Sequence, residues 1–91
     1  MKEKDAWDVY YCIRHFPGGP GAVVEEFRPN SAHGLVREAL AKLTEKFASP
    51  DHVGPRFVGD FEEITDPEVR GRLQRDAYEQ INYVLEQLRH Q

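Results

Sequence analysis

The last third of the chain has a long, one-sided helical pattern. The stretch TDPEV begins it: Thr65 stands three residues before Glu68, as in a capping box, and Pro67 falls in the first turn, where a missing N–H costs nothing. Apolar residues then recur at helical spacing, namely Val69, Leu73, Ala77, Ile81, Val84, Leu85 and Leu88. A helix of about 22 residues is a rod of about 33 Å. Such a rod is long for a domain of 91 residues, and its stripe must lie on the rest of the chain.

The first part of the chain is predicted to form two strands joined by a tight loop. Side chains in residues 7–16 alternate, which is typical of a strand. One face has Trp7, Val9, Tyr11, Ile13 and His15, and the other has Asp8, Tyr10, Cys12, Arg14 and Phe16. The following PGGPG, residues 17–21, favours a reversal, because proline has a fixed φ and glycine accepts a positive one. Residues 22–27, AVVEEF, are then the return strand.

Two more elements complete the predicted fold. Residues 30–47 begin with the candidate N-caps Asn30 and Ser31 and continue with apolar residues at helical spacing. This stripe consists of Ala32, Leu35, Val36, Ala39, Leu40, Leu43 and Phe47. Residues 56–64, RFVGDFEEI, are predicted as a third strand, weakened by Gly59. The order β-β-α-β-α predicts one α+β domain over residues 1–91, a two-layer sandwich in which a three-stranded antiparallel sheet carries both helices on one face.

Composition restricts the partners and the compartment. The chain has 12 Lys and Arg against 16 Asp and Glu, a net charge of −4, so no broad positive field exists to attract phosphates and no direct nucleic acid binding is expected. A single cysteine, Cys12, cannot form an internal disulfide, which indicates a cytoplasmic location. No apolar run approaches the ~18 residues of a membrane span, so no membrane association is expected either.

No pattern in the chain indicates catalysis or a cofactor. Cys12 and His15 are three residues apart in the predicted strand and would point to opposite faces, so they cannot pair as thiolate and imidazole. A zinc site would need one of them joined by His33 and His52, but no closely spaced ligand pair anchors such a site. The glycines of PGGPGA lead into a strand rather than a helix, unlike a phosphate-binding loop. We therefore predict no catalytic, metal-binding or cofactor-binding residues, and no enzyme.

Acidic residues concentrate between the third strand and the last helix: Asp60, Glu62, Glu63, Asp66 and Glu68. They fit a solvated rim that complements the positive end of the helix dipole. The same residues also fit metal ligands, or an acidic surface that imitates nucleic acid. Arg72 and Arg75, which follow, are predicted to be neutralised by acidic residues four positions away along the helix, namely Glu68 and Asp76 for Arg72 and Glu79 for Arg75.

The predicted sheet would leave one face uncovered. Tyr10, Cys12 and Phe16 lie on that face of the first strand, and a contiguous apolar area of this kind marks an interface. The last helix offers a rival seam through Tyr83 and Leu88, if its far end extends beyond the sheet. Either surface favours a homodimer, because two-fold pairing hides the same patch on both copies, or binding to another protein.

Two short motifs resemble parts of HicB-type antitoxins. Phe16, Pro17, Pro20 and Gly21 match a Phe-Pro-x-x-Pro-Gly loop, and the Glu-Ala-Leu of the following helix is matched by Glu38, Ala39 and Leu40. The similarity covers about 25 residues. It departs from the family in lacking a preceding strand, in a longer spacer before the helix, and in lacking a DNA-binding segment after it. The resemblance implies a role in inhibiting a partner.

These observations predict a small, non-catalytic protein-interaction or regulatory module that acts through an apolar sheet face. The alternative is an acidic inhibitor, of the phage or antitoxin kind, that blocks a nucleic-acid-binding site on a partner protein.

Overall fold

The protein is all-helical. The computed structural model describes residues 2–30 and 32–89, which form five α-helices and no strand. These are α1 (Glu3–His15), α2 (Pro20–Phe27), α3 (Gly34–Lys46), α4 (Val53–Phe61) and α5 (Pro67–Arg89), with a 3₁₀ turn at Arg28–Asn30 between α2 and α3. The predicted α+β sandwich with a three-stranded sheet is therefore wrong.

Helix α1 replaces the first predicted strand. Its buried residues are Ala6, Tyr10 and Ile13, spaced by four and three, so a helical stripe was hidden within the apparent alternation. Two acidic residues in its first turn and two basic residues in its last turn complement the helix dipole. The apolar residues of this segment fit both the two-residue period of a strand and the 3.6-residue period of a helix. Burial against the other helices selects the helix.

The loop after α1 was predicted correctly in its first half, but the return strand was not. Gly18 and Gly19 have φ values of 92° and 78°, a conformation that glycine adopts without strain. Pro20 is then the first residue of α2, where its fixed φ suits a helix and its missing N–H is not needed. Helix α2 buries Val23 and Val24.

Residues 56–61 of the third predicted strand are also helical, as part of α4, and the apparent breakers in and before this segment have structural uses. Pro55 lies in the first turn of α4, where no intrahelical N–H bond is lost. A Cβ on Gly54 would lie 2.6 Å from the Phe47 ring, so only glycine allows this close approach. Gly59 likewise packs against the Arg70 side chain, 3.0 Å from where its Cβ would be.

Helix α5 forms as predicted, but Asp66 rather than Thr65 caps it. Asp66 Oδ1 accepts hydrogen bonds from the backbone N–H of Glu68 at 2.9 Å and of Val69 at 3.2 Å. Most of the predicted stripe is buried, namely Ala77, Ile81, Val84, Leu85 and Leu88. Helices α1, α2 and α4 pack around this stripe, so α5 is the central element of the core.

Helix α3 begins a few residues further along the chain than predicted, at Gly34, and lies at the margin of the core. Its N-cap is His33, whose Nδ1 accepts a hydrogen bond from the N–H of Leu35 at 3.3 Å. Of the two predicted caps, Asn30 lies in the 3₁₀ turn and Ser31 lies outside the described residues. No residue of α3 is buried, whereas Phe47, directly after it, is completely buried.

Candidate interaction surface

The sheet face on which the predicted interface rested does not exist. Tyr10 is buried in the core, and its hydroxyl donates a hydrogen bond to Asp76 Oδ2 at 2.5 Å. Burial and then this hydrogen bond raise the pKa of Tyr10 well above its usual range. Phe16 is partly buried against the core, and Cys12 is exposed on α1. The helical turn thus separates three side chains that a strand would have aligned.

The two residues of the alternative interface on the last helix, Tyr83 and Leu88, do not lie on one surface either. Leu88 is buried at the end of the core stripe, whereas Tyr83 is 46% exposed on another side of α5. The structure therefore does not bring the five predicted interface residues together on one surface. The homodimer expected from them stays a prediction.

The predicted acidic surface contributes to the fold at four of its five positions. Asp60 forms an ion pair with Arg70, Asp66 caps α5, and Glu68 binds Arg72 at 2.6 Å. Glu62 accepts a hydrogen bond from Trp7 Nε1 at 3.2 Å. Glu63, exposed at a positive φ of 56°, makes no side-chain hydrogen bond or ion pair with the described residues. Arg70, an arginine near the start of α5 for which the sequence predicted no partner, reaches back to α4.

Arg70 holds the end of α4 to the start of α5. Besides Asp60, its guanidinium donates to the carbonyl oxygen of Arg56 at 3.1 Å and to that of Ile64 at 3.4 Å, and its Nε donates to Gln74 Oε1 at 2.9 Å. Gln74 Nε2 continues the network to the carbonyl of Pro50 at 2.9 Å. The network fixes the end of α4, where Asp60 forms an ion pair with Arg70 and Glu62 accepts a hydrogen bond from Trp7 of α1.

A continuous line of aromatic rings crosses α4 and α1, and we call it the aromatic row: Phe61, Trp7, Tyr11 and His15. The ring centroids of Phe61 and Trp7 are 5.0 Å apart, those of Trp7 and Tyr11 are 4.7 Å apart and nearly stacked, and those of Tyr11 and His15 are 4.4 Å apart. The three residues on α1 are spaced by four, so one helix face presents them all.

The aromatic row is open to solvent along most of its length. Tyr11 is 47% exposed and Phe61 is 40% exposed, His15 is exposed, and Trp7 is half-buried with its other side against the core. Trp7 and Phe61 have a structural use, since they join α1 to α4. Tyr11 and His15 extend the row beyond that junction, which core packing does not require.

Charge is distributed unevenly along the aromatic row. At its Phe61 end lies the carboxylate of Glu62, and the exposed Glu63 is the next residue of the chain; neither has an ion-pair partner among the described residues. Elsewhere on α1, Lys4 is paired with Asp8 at 2.7 Å, and this hydrogen bond raises the pKa of Lys4. Arg14 lies 3.5 Å from Asp76. One end of the row therefore favours a positively charged group.

The prediction of a strand over residues 7–16 did not indicate the aromatic row. It placed Trp7 and Tyr11 on the same face as Ile13, towards the helices, whereas the helix turns them away from Ile13. The spacing of four between Trp7, Tyr11 and His15 was the available signal for an aromatic line on a helix.

Within residues 2–30 and 32–89, no group of three or more His, Cys, Asp or Glu side chains is arranged to hold a metal ion. None of the helices in these ranges combines the length and the apolar character needed to cross a bilayer.

Comparisons with known proteins identify no relative. No protein-family model, no curated protein and no solved structure matches the chain. The resemblance to HicB-type antitoxins receives no support from them, and the residues on both sides of its Phe-Pro-x-x-Pro-Gly loop are helical here.

Proposed function

We propose that the protein is a small, non-catalytic interaction module that binds a proline-rich segment with a basic flanking residue along the aromatic row. The observation that carries the proposal is the row itself, four contacting rings of which two are almost half exposed and one, His15, is also exposed. Exposed aromatic residues that touch one another are the usual lining of surfaces that bind polyproline II segments.

The ring arrangement favours an extended apolar segment over stacked bases or sugars. Trp7 and Tyr11 turn faces towards each other, with an interplanar angle of 27°, so it is their outer edges that remain for a ligand. Proline rings pack against such exposed aromatic edges, and a polyproline II segment loses little conformational entropy because it is extended before binding. The net charge of −4 also opposes binding to a phosphate backbone.

The acidic end of the row indicates where a basic residue would lie. Glu62 already accepts the Trp7 indole N–H, so its carboxylate is held beside the ring. Glu63 is exposed next to it. A Lys or Arg at one end of the segment would meet these two carboxylates and fix the direction of binding.

Trp7 is the only tryptophan of the chain, so its fluorescence reports directly on the row. We expect the blocked peptide RPLPPLP to change the Trp7 emission saturably, and EPLPPLP to bind more weakly because its charge is reversed. Tyr11→Gln should weaken binding about fivefold to tenfold, since the loss of one aromatic contact costs about 1 kcal/mol or more.

Phe27→Gln is the matched control, because Phe27 is also 47% exposed but lies outside the row, at the end of α2. It should bind RPLPPLP as the wild type does. The proposal fails if both peptides bind equally, or if Tyr11→Gln binds like the wild type. It also fails if a thymidine oligonucleotide or a cello-oligosaccharide binds the row and RPLPPLP does not.

The acidic inhibitor is the weaker alternative. Asp60, Asp66 and Glu68 already serve an ion pair, a helix cap and an i,i+4 pair, so few carboxylates remain unengaged to imitate a phosphate backbone. The cytoplasmic location and the homodimeric state of the protein remain predictions. Sedimentation of the wild type would test the homodimer.

A further inference from the structure

A second surface feature lies away from the aromatic row, between α2 and α5. It is an open pocket of about 340 Å³ lined by Pro20, Gly21, Glu79, Gln80 and Tyr83. This volume is at the lower end of the range for small-ligand sites, about 300–1,000 Å³. The pocket suits one small molecule or one side chain.

One of the lining residues, Gln80, has a polar atom whose bonding is incomplete. Gln80 Oε1 is shielded from solvent and has no hydrogen-bond partner among the described residues. A buried, unpartnered acceptor is uncommon and costs about 1–3 kcal/mol, so such an atom calls for an explanation. The last torsion of a glutamine side chain is soft, and a modest rotation of the amide would turn the oxygen towards a donor in the pocket.

The other lining groups also select a donor with a positive charge. Glu79 has no ion pair within the described residues, although Arg75 lies one helical turn before it. Tyr83 offers a half-exposed ring whose face attracts cations, and its hydroxyl lies 4.0 Å from the position of a Cβ on Gly21. No lining residue carries a positive charge.

We propose that this pocket binds an alkylammonium group. Its N–H donors would bond to the Glu79 carboxylate and to Gln80 Oε1, and its methylene groups would lie against Pro20 and the Tyr83 ring. The same chemistry comes from two sources, a small free amine or the lysine side chain of a partner protein. The inference does not depend on the aromatic row.

The experiment is an NMR titration of ¹⁵N-labelled protein at fixed ionic strength with n-butylammonium, butan-1-ol and butyrate. We expect n-butylammonium alone to shift the backbone amides of Gly21 and Tyr83 and the side-chain NH₂ of Gln80, because only it supplies both charge and donors. Glu79→Gln should weaken binding about tenfold or more, as expected for losing a hydrogen bond to a charged group.

Glu26→Gln is the control, because it makes the same change in net charge at an exposed residue of α2 outside the pocket. It should bind n-butylammonium like the wild type. Gln80→Met, which removes the amide and preserves the length, should also weaken binding, with folding checked by circular dichroism. Equal binding of butan-1-ol, or equal affinities of Glu79→Gln and Glu26→Gln, would overturn the proposal, as would the absence of any shift.

A blocked Gly-Lys-Gly peptide distinguishes the two sources. Tighter binding of this peptide than of n-butylammonium assigns the site to a partner's lysine. Binding of n-butylammonium without the peptide assigns it to a small free amine. Failure of RPLPPLP to bind the aromatic row leaves this result unchanged, because the two titrations report on different residues.

Discussion

Helices α1 and α3 have the same length, 13 residues, and both are amphipathic, but the protein uses them differently. Helix α1 buries Ala6, Tyr10 and Ile13 against α4 and α5. Helix α3 buries none of its residues, and Leu35 at its start is 73% exposed. It reaches the core through the half-buried Leu40 and Leu43 and through Phe47, which follows it.

The difference shows that an apolar stripe favours burial of one helix face but does not ensure that another helix covers that face. Helix α1 packs extensively against α4 and α5, whereas α3 touches the same two helices only sparsely, and the remaining face of α1 still has room for exposed aromatic residues. Helix α3 is attached near one end, so its stability depends on few contacts. Three experiments test this contrast, and the one with the largest expected effect comes first.

The largest effect is expected for Phe47→Ala. The Phe47 ring is completely buried and touches Gly54 at a distance that only glycine allows, and its carbonyl oxygen accepts a hydrogen bond from Asn82 Nδ2 at 2.7 Å. Removing the ring should lower the free energy of unfolding by about 3–5 kcal/mol, as buried Phe→Ala changes do. Denaturant unfolding measures the loss, and hydrogen exchange should show the amides of α3 losing protection first. Uniform loss of protection would contradict the attachment of α3 at one end.

A smaller effect is expected for Ile13→Ala in α1, set against Leu35→Ala in α3. Ile13 is buried, so its truncation should cost about 2–3 kcal/mol. Leu35 is mostly exposed, so its truncation should cost less than about 0.5 kcal/mol. Urea midpoints of the two variants measure the difference. Equal costs would mean that α3 is packed as tightly as α1.

The third test concerns the Tyr10–Asp76 hydrogen bond that holds α1 to α5. Tyr10→Phe should cost about 1–2 kcal/mol at neutral pH, because Asp76 loses a donor but stays partly exposed beside Arg14. The folded state raises the pKa of Tyr10 above its ordinary value of 10.0. Its contribution is therefore complete below about pH 10 and is lost as pH rises above that value, since the unfolded chain releases the proton first.

Urea unfolding between pH 8 and pH 11 checks this sign. The wild type should lose stability more steeply above about pH 10 than Tyr10→Phe does. Tyr83→Phe should keep the steep loss, because Tyr10 is intact in that variant. A wild type and a Tyr10→Phe variant with parallel pH dependence would show that the hydrogen bond does not couple to Tyr10 ionisation.

The candidate surfaces were only partly accessible from sequence. Tyr83 was recognised because it lies off the apolar stripe of a helix that was predicted correctly, and it lines the pocket proposed for an amine. The aromatic row was missed, because the alternation of residues 7–16 turned Trp7 and Tyr11 inwards. Whether an aromatic residue is exposed depends on whether it lies in a helix or in a strand. A wrong secondary-structure prediction therefore also predicts the wrong set of exposed residues.

The sequence by itself determined α5, most of α3 and the first half of the loop after α1. In α5 the stripe extends over six turns, long enough that no period of two fits it. Residues 7–16, 22–27 and 56–64 are shorter and satisfy both periods, and their prolines and glycines suit a helix start or a close contact as well as a strand end. Only tertiary structure decided these segments: α5 presents a helical stripe that packed helices cover, and the contacts of Gly54 with Phe47 and of Gly59 with Arg70 are made across the fold.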